Sequence, residues 1–329
     1  MAESKQSIID RFRSDDFKIA AKGKWYAIAP AILAVVGIIL FFTINFNLGL
    51  DFTGGRMITV SGVTSETYAE TRATIERRLN EVNGIRYNVV RVDGDGVRID
   101  VEFTVAGYDP ESEEVDAIAT AIHEYLVIAL PGNTVNSDGV ITARASTERI
   151  LNTFMAVGLA LILMLLYMLF RFKFTAGVAA IIGLMHDVLV MLALTMIFRI
   201  PVNQAFIAAL ITVVGYSINN TLILADRIRG KEKMNTKGQS VEEIVDSSVK
   251  ETFARTMNTT ITTLVPVFAL IVFGVPLIRE FAIPIMFGLI AGTFSTIFVV
   301  TSLYVRFETY RLAKQKHRKK LESKNPAKA

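Results

Sequence analysis

Six long apolar windows constrain the fold of this chain more than any other feature of its sequence. Each window is long enough for one helix to cross the ~30 Å hydrocarbon core of a bilayer. The windows cover approximately residues 25–46, 150–170, 175–198, 202–225, 259–278 and 281–305. The sequence therefore predicts a polytopic α-helical membrane protein with six transmembrane helices.

Lysine and arginine are distributed unevenly among the segments that flank the windows. The segments 1–24, 226–258 and 306–329 carry six, seven and nine of them. The long segment 47–149 has nine arginines, no lysine and seventeen acidic residues. Because short basic loops tend to remain in the cytoplasm, we predict that 47–149 is extracytoplasmic. Both termini and the loop 226–258 are then cytoplasmic, and helices two to six occupy 150–305.

The extracytoplasmic segment has the patterns of a small α+β domain. Apolar and polar residues alternate as in strands, and Asp93-Gly94-Asp95-Gly96 between two such runs is a strong hairpin signal. Two other stretches have helical periodicity. The predicted strands are 56–62, 86–92, 97–105 and 135–143, and the predicted helices are 65–82 and 110–130. The order β-α-β-β-α-β predicts a ferredoxin-like fold.

The composition argues against an enzyme. Cysteine is absent and only three histidines are present, so neither a thiolate metal site nor a histidine-based centre is expected. The chain has no phosphate-binding loop, dinucleotide fingerprint or H-E-x-x-H motif. We therefore predict no catalytic residue, no metal, no cofactor and no nucleic-acid partner. The basic tail is expected to contact anionic lipid.

Ionisable and amide side chains lie inside the apolar windows. An ionisable residue at the centre of a transmembrane helix costs about 2.5–3.5 kcal/mol, so it normally faces a cavity or a partner. Asp187 is either an ion-relay carboxylate or a structural carboxylate paired with Arg255 or a backbone amide. His186 is expected to point about 100° away from Asp187, as a packing residue or a proton carrier. Asn219 and Asn220 complete the candidate functional polar residues.

Five short motifs occur in the order in which a known family has them. They are GLDFTGG at 49–55, MHDVLV at 185–190, GYSINNT at 215–221, DRIR at 226–229 and ARTMNTT at 254–260. On these motifs the chain resembles the SecD/SecF family of the bacterial Sec translocon, within the resistance-nodulation-division superfamily. Its short length and single outer segment resemble the SecF branch. The segment 135–144 lacks the VGP-type sequence expected of the family.

Two of these motifs supply structural candidates. The motif GLDFTGG at 49–55 predicts a rigid exit from the membrane after the first window, with glycines that permit a tight turn and Asp51 bracing that turn. The motif DRIR at 226–229 predicts an ion-pair clamp at the inner end of the fourth window, with a gating role as the alternative. The residues concerned are Gly49, Asp51, Phe52, Gly54, Gly55, Asp226 and Arg227.

The resemblance implies a function and a set of partners. SecF-type members pair with SecD as an obligate partner, and the two form a twelve-span assembly in the bacterial cytoplasmic (inner) membrane. The pair acts on preproteins that emerge from the SecYEG channel, and YajC is a further expected partner. The proton or sodium motive force is expected to pull the preprotein outward.

Position 220 departs from the family pattern. The family motif in the fourth window is N-D-T, and its aspartate is a principal proton-relay group, whereas this chain has Asn219-Asn220-Thr221. An amide cannot take up a proton by titration. Three explanations are open: an engineered change that locks one state, a relay through Asp187 and a SecD carboxylate, or no ion coupling. Arg255 matches the arginine that faces the aspartate of the N-D-T motif in the family. Because this chain has an amide at that position, Asp187 or a SecD residue would have to compensate the charge of Arg255.

Two other functions compete with that of a secretion subunit. One is half of a resistance-nodulation-division exporter of lipids or small molecules, which would need a second large outer domain. Only the segments 200–204 and 275–280 connect the later windows on the outer side, which argues against a porter pocket. The other is a translocon scaffold without ion coupling, for which Asn220 is the best evidence.

Overall fold

The chain consists of a sheet domain, residues 55–141, and a helical bundle that follows it. The computed structural model describes residues 45–93, 97–141, 143–235 and 238–324, together with scattered positions of 28–43. A four-residue helix, α1 (Leu50–Thr53), precedes the sheet domain. The domain then contains β1 (Gly55–Val63), α2 (Tyr68–Asn80), β2 (Ile85–Asp93), β3 (Val97–Val105), α3 (Glu113–Ala129) and β4 (Thr134–Ile141).

The four strands form one antiparallel sheet in the order β2-β3-β1-β4. Successive side chains in a strand point to opposite faces, so the alternating apolar residues of the strands gather on one face. α2 and α3 contribute apolar residues to the same core, which stabilises the domain by burial. The fully buried core residues include Ile58, Val60, Ile75, Leu79, Ile99, Val101, Phe103, Ile122 and Leu126.

The structure confirms the predicted order of strands and helices but shortens both helices, which begin three residues later than predicted. Thr64 and Thr67 form a turn in which each backbone N–H donates to the hydroxyl of the other, at 3.1 and 3.2 Å. This turn delays α2. Ser112 caps α3 by accepting a hydrogen bond of 3.4 Å from the Val115 backbone N–H. The predicted hairpin tip at 94–96 lies outside the described residues.

Glu102 makes the stability of the sheet domain depend on pH. Burial raises the pKa of Glu102, a hydrogen bond from Asn88 opposes this, and the charges of Asp51 and Asp100 raise the pKa further. The fold therefore favours the protonated form, and it loses stability as the pH rises above the unfolded-state pKa of about 4.3.

We expect Glu102→Gln to slow amide hydrogen exchange in β3 of the full-length chain at about pH 8, because the amide removes the cost of burying a charge. At about pH 4, near the unfolded-state pKa, the variant should exchange like the parent. Faster exchange in the variant at the higher pH would contradict this prediction.

Five helices of the described chain are long and apolar enough to cross a membrane. Four of them are α4 (Ala143–Arg171), α5 (Phe174–Ile197), α6 (Gln204–Lys233) and α7 (Val241–Phe273). The fifth combines α8 (Pro276–Phe294), a π-helical segment (Ser295–Val300) and α9 (Thr301–Lys324). Ten of the 22 residues of the predicted first window, 25–46, lie outside the described residues.

The fifth span differs from the prediction at both ends, because α7 already begins at Val241, inside the predicted loop 226–258. The window 259–278 was expected to be continuous, but α7 ends at Phe273 and α8 begins at Pro276. Gly274 is the C-cap of α7 and has an extended backbone, with φ −74° and ψ 154°. Proline has no N–H to continue a helix but suits its first position. Residues 276–278 therefore start the last span instead of ending the one before it.

Close packing between helices of the bundle depends on glycine. A Cβ added to Gly288 of α8 would lie 2.4 Å from the Val213 side chain of α6. One added to Gly183 of α5 would lie 2.4 Å from Val300 of the π-helical segment. A Cβ added to Gly158 of α4 would meet nothing within 4 Å among the described residues.

We expect Gly288→Ala to destabilise the protein by about 1–3 kcal/mol, because the added methyl group pushes α6 and α8 apart. Gly158→Ala is the matched control, and it should be neutral or stabilising by up to about 1 kcal/mol through helix propensity. Denaturant unfolding in detergent micelles measures both changes. Equal effects of the two substitutions would show that the contact with Val213 does not limit packing.

Buried ion pairs hold the end of the bundle that lies away from the sheet domain. Glu308 of α9 is 1% exposed. It accepts hydrogen bonds from Lys173 at 3.2 Å, Thr175 at 2.9 Å and Arg311 at 2.6 Å. Lys173 also contacts Glu232 of α6 at 2.7 Å. The turn between α4 and α5, the end of α6 and α9 therefore share one network.

Candidate ion-relay site

Asp187 lies in the middle of α5 and is completely buried in the bundle. Its Oδ1 is 2.9 Å from His186 Nδ1, and its Oδ2 accepts a hydrogen bond of 2.5 Å from the Ser217 hydroxyl of α6. Gly292 of α8 faces the same carboxylate, because a Cβ added there would lie 3.4 Å from Asp187 Oδ2. Three helices therefore surround the carboxylate.

His186 shares the site with Asp187, so the expectation that its ring points away was wrong. Adjacent helical residues are separated by about 100°, but both side chains are long enough for the ring and the carboxylate to meet. The Nε2 atom of His186 is buried and has no hydrogen-bond partner among the described residues. His186 is thus placed to exchange a proton with Asp187 on one side of its ring.

Asn220 lies three residues after Ser217 on the buried face of α6, about one turn along the helix. Its side chain is 0% exposed, and neither its Oδ1 nor its Nδ2 has a hydrogen-bond partner within the described part of the chain. An unsatisfied buried polar group costs about 1–3 kcal/mol. This amide, without a partner among the described residues and one turn from Ser217, which donates to the Asp187 carboxylate, can bind a water molecule or a cation.

Hydroxyl groups link the helices around this site. The Tyr216 hydroxyl donates to Thr260 of α7 at 2.9 Å, and Thr260 is 2.8 Å from the Thr293 hydroxyl of α8. Thr221 of α6 lies 3.3 Å from the Thr296 hydroxyl of the π-helical segment. The sequence patterns did not indicate Tyr216, Thr293 or Thr296 as site residues, although the two threonines are one helical turn apart and could have indicated a polar stripe.

Two of the predicted polar residues do not join the site. Arg255 and Asn219 are exposed on the surface of the described chain. The expected pairing of Arg255 with Asp187 is therefore wrong, because α7 turns Phe253, Thr256 and Thr260 toward the bundle and Arg255 outward. The sequence distance between these residues gave no information on the rotation of α7.

The exit motif joins the first window to the turn between α5 and α6. The Gly49 N–H donates to the Val202 carbonyl at 2.9 Å, and the Gln204 N–H donates to Asp51 Oδ2 at 3.1 Å. The Asp51 carboxylate thus caps the first turn of α6, as an acceptor is expected to do at a helix start. Gly54 has φ 69°, which favours glycine at that position.

The other residues of the two structural motifs lie in the bundle or at the start of the sheet. Phe52 packs beside the apolar cluster around Phe206. Gly55 begins β1. Asp226 lies 3.7 Å from Arg171, and Arg227 forms an ion pair with Glu251. The two ion pairs join α6 to α4 and to α7, which is the geometry of a clamp.

The described ranges contain no group of three or more histidine, aspartate or glutamate side chains that could hold a metal ion. The buried carboxylate of Asp187 instead has two polar neighbours, one imidazole and one hydroxyl. This arrangement can hold and pass a proton, or stabilise a monovalent cation together with the Asn220 amide.

Comparison with known families assigns the chain. The model of the protein export membrane protein SecD/SecF C-terminal region matches residues 128–309, which contain α4 to α8 and most of the last span. The chain belongs to the SecD/SecF family. The SecD/SecF GG motif model matches residues 39–64, where Gly49, Gly54 and Gly55 lie.

Individual relatives support the same family. The SecF protein translocase subunit of Petrotoga mobilis is 30% identical over 300 residues, covering 90% of this chain and 97% of the relative. SecF of Helicobacter pylori strain 26695 is 29% identical over 306 residues and is covered to 91%. SecDF of Thermus thermophilus is 31% identical over 318 residues, but the chain spans only 40% of it.

Solved structures show the same relationship. The crystal structure of SecDF from Thermus thermophilus, described as a translocon-associated membrane protein, superposes with a TM-score of 0.72 at 29% identity. The match covers 90% of this chain and 39% of the SecDF chain. A SecDF structure in a super-membrane-facing form gives a TM-score of 0.65. The chain therefore corresponds to one part of a longer fused relative.

Proposed function

We propose that the chain is a SecF-type subunit that acts with SecD in the export of preproteins across the bacterial cytoplasmic membrane. Its match to nearly the full length of SecF subunits supports this assignment. The observation that carries the mechanism is the buried Asp187, which is bonded to His186 and Ser217. A carboxylate at the centre of a span is costly, and such residues commonly mark ion pathways.

The proposed topology has six transmembrane helices, with the window 25–46 as the first. Both termini are cytoplasmic, which the basic segments 1–24 and 306–329 support. The sheet domain is then extracytoplasmic. Its strand order β2-β3-β1-β4 and its two helices on one face support a ferredoxin-like fold.

SecD is the proposed obligate partner. In the SecDF relatives the sequence that matches this chain is about two fifths of a longer polypeptide, which supports a tight pairing of the two halves. Arg255 supports it independently, because it is exposed on α7, and the exposed apolar residues Ile261, Val265 and Phe268 lie further along the same helix. A cation exposed near the start of a span needs a counter-charge, which SecD would supply. SecYEG, YajC, the preprotein and anionic lipid at the basic tail are further proposed partners.

Ion coupling is the proposed source of energy, and the chain itself is proposed not to be an enzyme. Moving one charge through 100 mV releases about 2.3 kcal/mol. Asp187 would take up and release the ion, His186 would hold or pass a proton at Nδ1, and Asn220 would bind a water molecule beside them. Gly292 allows α8 to lie against the carboxylate, so a change in its charge would alter the packing of α8.

Replacement of Asn220 by aspartate is expected to raise ion-dependent preprotein export, because it restores a titratable group at the position where the family motif has one. The experiment uses membrane vesicles that contain SecD and SecYEG, with an imposed proton or sodium gradient. Asn219→Asp is the matched control and should change little, because Asn219 is exposed.

The outcome that would exclude ion coupling is an export rate that ignores the gradient in the parent and in Asn220→Asp alike. In that case the scaffold function would be favoured, for which the buried amide of Asn220 is the specific observation. Isolation of the native complex distinguishes the secretion subunit from the exporter. Co-purification of SecD and SecYEG would support the secretion subunit, whereas co-purification of an outer-membrane channel or adaptor would support an exporter.

A further inference from the structure

A large cleft separates the sheet domain from the top of the bundle. Its volume is about 670 Å³. One wall is formed by residues of β2 and β3, another by the exit segment 45–49, and a third by the turn that contains Arg199 and Pro201. The cleft therefore lies where the chain passes from the bundle into the sheet domain.

The sheet wall of the cleft is the face that α2 and α3 leave uncovered. Arg86 pairs with Thr104 across the strands, and Asn88 pairs with Glu102. Since side chains alternate along a strand, these four lie on one face, while Phe103 points into the core on the other. The wall offers hydrogen-bond donors and acceptors and charges of both signs.

The chemistry of the lining limits what the cleft can bind. Phe41, Phe46 and Leu48 make one side of the cleft apolar, but the sheet wall opposite is polar and does not suit a lipid tail. An anion would be repelled by the carboxylate of Glu102, which faces the cleft beside Asn88. The positive charges of Arg86 and Arg199 would repel a cation. A polypeptide backbone is uncharged and both donates and accepts hydrogen bonds. It therefore matches the mixture of amide, hydroxyl and charged groups on the sheet wall of the cleft.

The size of the cleft also suits an extended chain. The spacings of β-structure give an extended polypeptide about 160 Å³ per residue, so the cleft has room for about four residues. β2 is an edge strand among the described strands, and the outer backbone groups of an edge strand are of the kind that bind an added strand.

We propose that this cleft binds an extended stretch of the exported polypeptide as it leaves the membrane. The inference rests on the proposed export function and adds the place of contact in this subunit. The helix α8 contacts β2, whose residues line the cleft, and it runs from there to the ion-relay site. At its outer end Glu280 accepts a hydrogen bond of 2.8 Å from Asn203, and three turns further on Gly292 faces Asp187.

Single-cysteine cross-linking tests the proposal. Because the chain has no native cysteine, only the introduced thiol of this subunit can be labelled. Thr104→Cys places a thiol in the cleft, and Ala73→Cys places one on the exposed side of α2 as the matched control. Each variant is labelled with a short photoreactive maleimide in vesicles that contain SecD, SecYEG and an arrested preprotein. We expect several-fold more preprotein adduct from position 104 than from position 73.

Equal or absent preprotein adducts at the two positions, with export activity retained, would overturn the cleft proposal and leave the proposed function intact. Adducts of position 104 with lipid instead of preprotein would also overturn it. Export that does not depend on this chain at all would remove both the proposed function and the cleft proposal.

Discussion

Asp187→Asn is expected to abolish the part of preprotein export that depends on an ion gradient. The substitution keeps the shape of the side chain and its hydrogen bond with Ser217. It removes the carboxylate, which is the only titratable group that His186 contacts among the described residues. One charge moved through 100 mV is worth about 2.3 kcal/mol, so the stimulation lost is bounded at about 50-fold per ion. Export driven by ATP alone should persist.

The matched control for this prediction is Asp116→Asn, the same chemical change on the surface of the sheet domain. Asp116 pairs with Arg56 at 2.9 Å and its side chain is 64% exposed, so the loss should be small. Vesicle export is measured with and without an imposed gradient for both variants. A gradient response that survives in Asp187→Asn would show that the ion is taken up elsewhere.

Glu308→Ala is expected to lower the free energy of unfolding by about 3 kcal/mol, the largest stability effect anticipated for a single substitution in this chain. The Glu308 side chain is 2% exposed and accepts hydrogen bonds from three residues. Its loss leaves Thr175 unpaired, removes an acceptor from Lys173 and Arg311, and opens a void between α5 and α9.

Glu251→Ala provides the comparison, because Glu251 also pairs with two cations but its side chain is 43% exposed. Exposed ion pairs contribute about 0–1 kcal/mol. Unfolding of the two variants in detergent micelles should therefore differ by about 2 kcal/mol or more. Similar losses of unfolding free energy in the two variants would mean that burial of the Glu308 network does not add to stability.

Much of the fold followed from patterns that depend on local sequence. Strand alternation around Ile58, Ile99 and Phe103 determined which face of the sheet is buried, and the apolar windows located the spans. The ends of elements were less predictable. The turn at Thr64 and Thr67 depends on side-chain hydrogen bonds that compete with a helix, and the break at Gly274 falls inside a continuous apolar run.

The candidate site was only partly predictable, because helix rotation is set by packing between distant segments. Asp187 and Asn220 were identified from the cost of polar groups in a span, and both are buried. Arg255 has the same polar character but faces outward, and Ser217 became important only through its bond to Asp187. Asp51 was predicted to brace the exit turn, but its acceptor role at the start of α6 required the structure.

We propose that Asp187 changes its protonation or ion occupancy when a gradient is applied. Infrared difference spectroscopy of the chain with SecD in lipid, recorded while the gradient is switched, detects such a change. We expect a carboxyl band that responds to the gradient and disappears in Asp187→Asn. A spectrum with no carboxyl response, or one that is unchanged in Asp187→Asn, would contradict it.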